Sequence, residues 1–343
     1  MTLATVFIAI ATGLLSALLC WGLIKAGLRD EPNEAHKQPG KTAASAGGIA
    51  LLTSVGFGLV LAAVFWPEML GLSDALAWSF LAASLAGVTG LYDDLLKPRA
   101  LSRLAVHVAL AIGLASLFPV MRLDAGVGAV VFPYGIAVLG TALWIVVMTN
   151  AANFIDGADG MLGLCVAPGL AGLAIAGLVL GELDAALWAI CLLASVVGFL
   201  LWNLGAGRLI AGDCGAIFIG FSIAAIGVDL ASASPVGPWL APLFFLPVLA
   251  DVLLTLLYRA ARRENLAQGH RQHLYQIAIE ARMEHHQIAL VYALLSLPGV
   301  ILGLSALALG PGFAAFCLVI LVLGFAWMSA KARRSARIAG RLA

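Results

Sequence analysis

Five stretches of this chain, 1–24, 42–67, 161–181, 185–207 and 288–330, contain no Asp, Glu, Lys or Arg. Each meets or exceeds the roughly 20 apolar residues that a helix needs to cross a bilayer. In hydrocarbon every backbone N–H and C=O must be paired within the structure, so an open sheet is excluded and helices are expected. Apolar residues make up 62% of the chain and charged residues 11%, against about 25% charged in an ordinary soluble domain. The fold class is therefore read as all-α, a polytopic transmembrane helical bundle. A formal net charge of +1 gives no ground for a nucleic-acid partner. Cys20, Cys165, Cys191, Cys214 and Cys317 show no paired spacing, so neither a disulfide framework nor a zinc knuckle is expected.

Hydropathy and breakers give eleven helices, at roughly 3–25, 47–66, 75–92, 103–120, 135–152, 162–180, 185–202, 214–230, 239–258, 287–306 and 312–329. Gly310-Pro311-Gly312 splits the last uncharged run into two spans. Asp124, Gly126, Gly128 and Pro133 predict an extended piece before the fifth helix. The run 214–230 is the shortest span and the one that hydropathy alone defines least firmly. The first span has no basic segment ahead of it and no cleavage-like site before Lys25, which predicts a retained helix. Residues 1–330 read as a single integral membrane domain. Residues 331–343, with five basic residues and no acid, read as a basic cytoplasmic tail suited to anionic headgroups.

With eleven spans, every Lys and Arg except Arg122 falls on one side of the membrane. The positive-inside rule makes that side cytoplasmic, with the N-terminus outside and the C-terminus inside. Glu68, Asp74, Asp124, Glu182, Asp184 and Asp229 then lie outside, as solvated loop ends. The inner acids are different, because Asp93, Asp94, Asp156, Asp159 and Asp213 stand at the ends of apolar spans. A carboxylate there is costly unless it meets a cation or a hydrogen-bond donor.

Four loops carry the candidate chemistry. The adjacent carboxylates of Asp93 and Asp94 follow the third span and repel one another unless a cation or basic cluster relieves them. Asn150, Asn153, Asp156 and Asp159 are spaced by threes, which puts each pair on one face of a helix. Gly157 and Gly160 let that backbone turn tightly and approach a ligand. Asp213 precedes the eighth span, where it serves either as helix cap or as an oxygen ligand for Mg²⁺. His270, Arg271, His273 and Tyr275 crowd one polar stretch suited to a polyanion such as a pyrophosphate. Zinc lacks Cys or acidic partners at metal spacing there. His107 reads as a packed, hydrogen-bonded histidine, and His285 and His286 as interfacial. Asp251, inside the ninth span, is either functional or held by a partner in another helix. Asn33, His36 and Lys37 are weak candidates for substrate contact.

The strings Asp93-Asp94, Asn150 to Gly160 with its Asn-Phe-Ile-Asp-Gly-Ala-Asp-Gly, and Gly212-Asp213-Cys214-Gly215 together resemble the polyprenyl-phosphate N-acetylhexosamine-1-phosphate transferases, glycosyltransferase family 4. The resemblance covers about residues 1–330, and the eleven-span count is closer to the GlcNAc-type and O-antigen branches than to the phospho-MurNAc-pentapeptide transferase of peptidoglycan synthesis. Ala216 stands where the family usually has Ser. His270-Arg271-Gln272-His273-Leu274-Tyr275-Gln276 is similar to branches handling N-acetylated deoxysugars for O-antigen or capsule.

The resemblance implies transfer of an N-acetylhexosamine-1-phosphate from a UDP-N-acetylhexosamine to undecaprenyl phosphate, giving UMP and initiating a surface polysaccharide. It implies a cytoplasmic site in the bacterial inner membrane and a Mg²⁺ cofactor, with Mn²⁺ as a substitute, and leaves a homodimer open. Asp213 is expected to bind the metal with Asp156 or Asp94. Asp93 is expected to position the lipid phosphate or act as a weak base, with Asp94, Asp156 and Asp159 also counted as catalytic. Asn150, Asn153 and Asp159 are expected to orient the nucleotide sugar, with His270, Arg271, His273 and Tyr275 at its phosphates. A secondary transporter is the alternative from another class, but no inverted halves repeat in the chain. Reporter fusions at Leu70 and Pro235 are expected to read outside, and at Lys97 and Gln268 inside. A cytoplasmic signal at Leu70 breaks the eleven-span topology.

Overall fold

The computed structural model describes residues 2–27, 46–67, 73–96, 100–204, 209–266, 268 and 270–340. Arg29, Asn33, His36, Lys37, Lys41, Glu68, Leu70, Lys97, Arg99, Arg208, Gly269 and Arg341 lie outside the described residues. The described helices are α1 (Thr2–Lys25), α2 (Gly47–Phe65), α3 (Asp74–Leu96), α4 (Ala100–Leu117), α5 (Tyr134–Ile155), α6 (Met161–Leu180), α7 (Leu183–Asn203), α8 (Gly212–Ala233), α9 (Gly237–Phe244), α10 (Leu246–Ala261), α11 (Leu274–Glu280), α12 (His285–Leu309) and α13 (Pro311–Ile338). A two-stranded antiparallel hairpin, β1 (Arg122–Asp124) and β2 (Ala129–Val131), precedes α5 and supplies the extended piece expected there. Among the described residues, nine helices are long and apolar enough to cross a membrane, or ten if the bent pair α9–α10 is one span; α4 is apolar but shorter. The chain is an all-α polytopic membrane protein.

The span least certain from the sequence, α8, is the centre of the bundle. Seventeen of the 22 residues of α8 are buried, against α2, α3, α5, α6, α7 and α9. A helix that is apolar all round has no solvent face to keep. Its Gly, Ala and Ser residues let neighbours approach closely, as membrane packing requires. A Cβ at Gly48 would fall on the backbone nitrogen of Gly215, and one at Gly90 on the backbone of Asp213. These two glycines bring α2 and α3 against the first turn of α8, where the candidate acids are.

The ninth span differs from the expected straight helix. It breaks at Phe245, and α9 and α10 meet at 77°. Pro247 has no N–H for the Leu243 carbonyl and its ring clashes there, which forces the kink. Gly299 lets α12 pack directly on that freed carbonyl. The bend redirects α10 and the histidine stretch that follows it. The other expected break is present: Gly310 has φ +92° and Pro311 opens α13.

Gly90→Ala is expected to cost about 1–3 kcal/mol through overpacking at α8, measured by thermal unfolding in detergent. Gly140→Ala, with open space around its Cα, is the control and leaves the transition in place.

Candidate active site

Three groups of polar side chains cluster at helix ends. The first joins α3, α4 and α8. Arg103, in the first turns of α4, donates from Nη1 to both Asp93 Oδ2 and Asp213 Oδ2. Asp94 Oδ1 accepts from the Asp213 N–H at 3.2 Å and its Oδ2 from the Cys214 N–H at 3.3 Å. The cap of α8 is thus supplied by α3, across 119 residues of sequence. Ala211, just before α8, offers no side-chain cap, and Asp213 lies within the first turn with its carboxylate turned to Arg103. The cap reading of Asp213 is thereby corrected to Asp94. All three carboxylates stand at the positive end of the α8 dipole, which favours negative charge. His107 bonds Thr89 through Nε2 at 3.0 Å and ties α4 to α3, the packed role read from sequence.

The second group is the turn between α5 and α6. Asn150 and Asn153 are half-buried on the last turns of α5, and Asn150 Nδ2 donates to Val146 O at 2.8 Å. Asp156 is the first residue past α5. The Asp159 N–H donates to His285 Nδ1 at 3.3 Å, and the Asp159 carboxylate lies 3.5 Å from the same nitrogen. Gly160 has φ +77°, and its N–H donates to Asn203 Oδ1 at 2.7 Å. Asn203 in turn donates to Leu209 O at 2.8 Å, so one buried amide joins the starts of α6 and of the segment leading into α8. The close approach that Gly157 permits is to the Tyr275 hydroxyl, within the protein itself.

The third group is the histidine stretch. Asp251 is fully buried and accepts from the Leu274 N–H at 2.8 Å, the Tyr275 N–H at 3.5 Å and the Tyr292 hydroxyl at 2.7 Å. It holds the first turn of α11 from α10, which resolves its two readings in favour of a structural anchor. His273 is 3% exposed, its ring beside Phe154, His270 and Tyr275. Tyr275 is 1% exposed, and its hydroxyl donates to Phe154 O at 3.0 Å. Burial pushes its phenol up, helped by the charges of Asp251 and Asp156, so it stays a neutral donor. His273 and Tyr275, both expected at the donor's phosphates, are buried and packed against Phe154 and each other in this structure. Arg271 is exposed and His270 partly so.

The carboxylates gathered with Asp213 are therefore Asp93 and Asp94, while Asp156 faces the histidine stretch through Tyr275. Arg103, Asn203 and His285 were not read as site residues. Arg103 carried one signal, a basic residue ten positions after Asp93 at the head of an apolar helix.

Residues 76–231 match the model of glycosyl transferase family 4. That segment, and the chain's similarity to curated transferases, liken this protein to glycosyl transferase family 4. Its relatives include the probable undecaprenyl-phosphate N-acetylglucosaminyl 1-phosphate transferase of Bacillus subtilis (strain 168), 24% identical over 83% of this chain and 78% of the relative. The undecaprenyl-phosphate alpha-N-acetylglucosaminyl 1-phosphate transferase of Yersinia pestis is 29% identical over 81% and 78%. The phospho-N-acetylmuramoyl-pentapeptide-transferase of Geobacillus kaustophilus is 26% identical over 59% and 65%. The matched segment holds the first polar group and, His285 apart, the second, and the histidine stretch lies beyond it. Asp94→Ala is expected to lower stability by about 1–2 kcal/mol through the lost α8 cap, and Asp94→Asn by less. Thermal unfolding of the purified variants checks the order.

Proposed function

We propose that this chain transfers an N-acetylhexosamine-1-phosphate from a UDP-sugar to undecaprenyl phosphate, releasing UMP. The observation that carries the reading is the junction of Asp93, Asp94 and Asp213 around Arg103, inside the segment matched to the family. The site is assigned to the cytoplasmic face of a bacterial inner membrane, with eleven spans and the N-terminus outside, on the one-sided distribution of Lys and Arg. The product starts a cell-surface polysaccharide.

Among the described residues no three His, Cys, Asp or Glu side chains form a metal-holding group. Asp93 and Asp213 do aim oxygens at a single cationic point, the Arg103 nitrogen, with Asp94 adjacent. An all-oxygen donor set suits a hard cation, so the residues fit Mg²⁺, which Asp213 would hold with Asp94 adjacent, with Mn²⁺ as a substitute. A divalent cation there supplies charge neutralisation for two phosphates brought together.

A polyprenyl phosphate oxygen attacks the β-phosphorus of the UDP-sugar. A new P–O bond forms, the bond from that phosphorus to the bridging oxygen breaks, and UMP leaves with the bridging oxygen. The nucleophile has a second pKa of about 6 and is largely ionised already, so no strong base is needed. Asp93 and Arg103 position the lipid phosphate. Asn150, Asn153 and Asp159 orient the nucleotide sugar, with Asp156 beside them. His270 and Arg271 meet its phosphates.

Radiolabel carried from a UDP-N-acetylhexosamine into butanol-extractable lipid tests the reading, and a panel of donors identifies the sugar. Asp213→Asn is expected to lower turnover by roughly 10²-fold, about 2.7 kcal/mol of transition-state stabilisation, and to raise the Mg²⁺ concentration needed for half activity. Asp229→Asn, at the far end of α8, is the silent control. Transfer by Asp213→Asn at the unaltered rate and Mg²⁺ dependence removes this residue from the site.

A further inference from the structure

The cytoplasmic extension of α13 carries one inward-turned cation. Lys331, Arg334 and Arg337 are exposed, whereas Arg333 is 4% exposed. A guanidinium is costly to bury unless its donors are met. Arg333 Nη1 donates to the Gln272 carbonyl at 2.8 Å, Nη2 to Thr255 Oγ1 at 2.7 Å and Nε to Ser329 Oγ at 3.3 Å. Its plane lies over the Tyr258 ring at 4.6 Å. Thr255 Oγ1 passes the connection on, donating to the Asp251 carbonyl at 2.6 Å. The peptide between Gln272 and His273 is thus gripped by Arg333, and the next two N–H groups by the Asp251 carboxylate.

We infer that Arg333 is a positioning residue that presets the His270–His273 segment for the donor's phosphates. The inference rests on the transferase reading above. His270 and Arg271 directly precede the gripped peptide, Arg271 exposed and His270 half-buried. A segment held in one conformation before binding loses less freedom when an anion arrives. Arginine suits the task because its rigid fork meets two acceptors at fixed geometry, and a lysine meets them only one at a time. Arg333 lies sixty-one residues from Gln272 and is buried, with its donors taken by Gln272, Thr255 and Ser329. Its effect is therefore on donor binding and not on the reacting atoms.

The test compares the full-length protein with Arg333→Ala, Arg333→Lys and Arg337→Ala in detergent. Amide hydrogen exchange across 270–276 is followed together with steady-state transfer from UDP-N-acetylglucosamine to undecaprenyl phosphate. Arg333→Ala is expected to speed exchange of 270–276 about tenfold, with the first turn of α8 unchanged. The KM for UDP-N-acetylglucosamine is expected to rise about tenfold with kcat held and the KM for undecaprenyl phosphate unmoved. Arg333→Lys falls between, and Arg337→Ala matches the unaltered protein. The lysine variant keeps the charge and carries the test if Arg333→Ala does not fold. Unchanged exchange in a folded Arg333 variant overturns the inference, as does faster exchange with an unchanged donor KM. If the unaltered protein transfers nothing from any UDP-sugar, the transferase reading fails by itself, and the exchange data still decide whether Arg333 holds the segment.

Discussion

One guanidinium holds the ends of three apolar helices together. Arg103 at the head of α4 joins Asp93 from α3 to Asp213 from α8, and Asp94 closes the junction by capping α8. Three carboxylates at one membrane-facing point repel each other and lose hydration. The positive end of α8 and the Arg103 charge offset that cost. The same arrangement leaves oxygen atoms facing a single cationic position, so what stabilises the helix ends also prepares them to handle phosphate.

The depth at which this junction sits depends on α8. A helix buried on every side cannot carry its own polar cap outward to water. Its first N–H groups are met by a carboxylate from a neighbour, and the glycines at 48 and 90 allow that neighbour close enough. The second polar layer follows the same rule. The short α11 begins on the Asp251 carboxylate of α10, and the loop before it is gripped by a buried arginine of α13. At 213–214, 160 and 272–275 the site's backbone groups are met by side chains from distant elements.

The membrane architecture was legible because length without charge and the placement of Lys and Arg are local properties of the chain. The split at Gly310 and an extended piece before α5 were read from Gly and Pro breakers, and the structure makes that piece a hairpin. The kink at Phe245 was missed although Pro242 and Pro247 announced it, since the apolar run alone suggested a straight span. His273 and Tyr275 look like ligand residues in a polar string, and their burial is invisible until Phe154 is brought against them. Arg103 and Arg333 read as topological charges, because nothing in their neighbours shows which acceptors the fold delivers.

By itself the sequence determined that this chain is a bundle of apolar helices with its chemistry at their ends, because burial of backbone in hydrocarbon permits little else. It also singled out the acidic strings at 93–94 and 213 that the fold brings together. Only the tertiary structure decided which carboxylate caps and which meets the arginine, which histidine is packed and which is open, and which basic residue of the last helix turns inward. Those choices depend on groups that lie 61 to 121 residues apart meeting within hydrogen-bond distance, a relation set by packing and not by spacing along the chain.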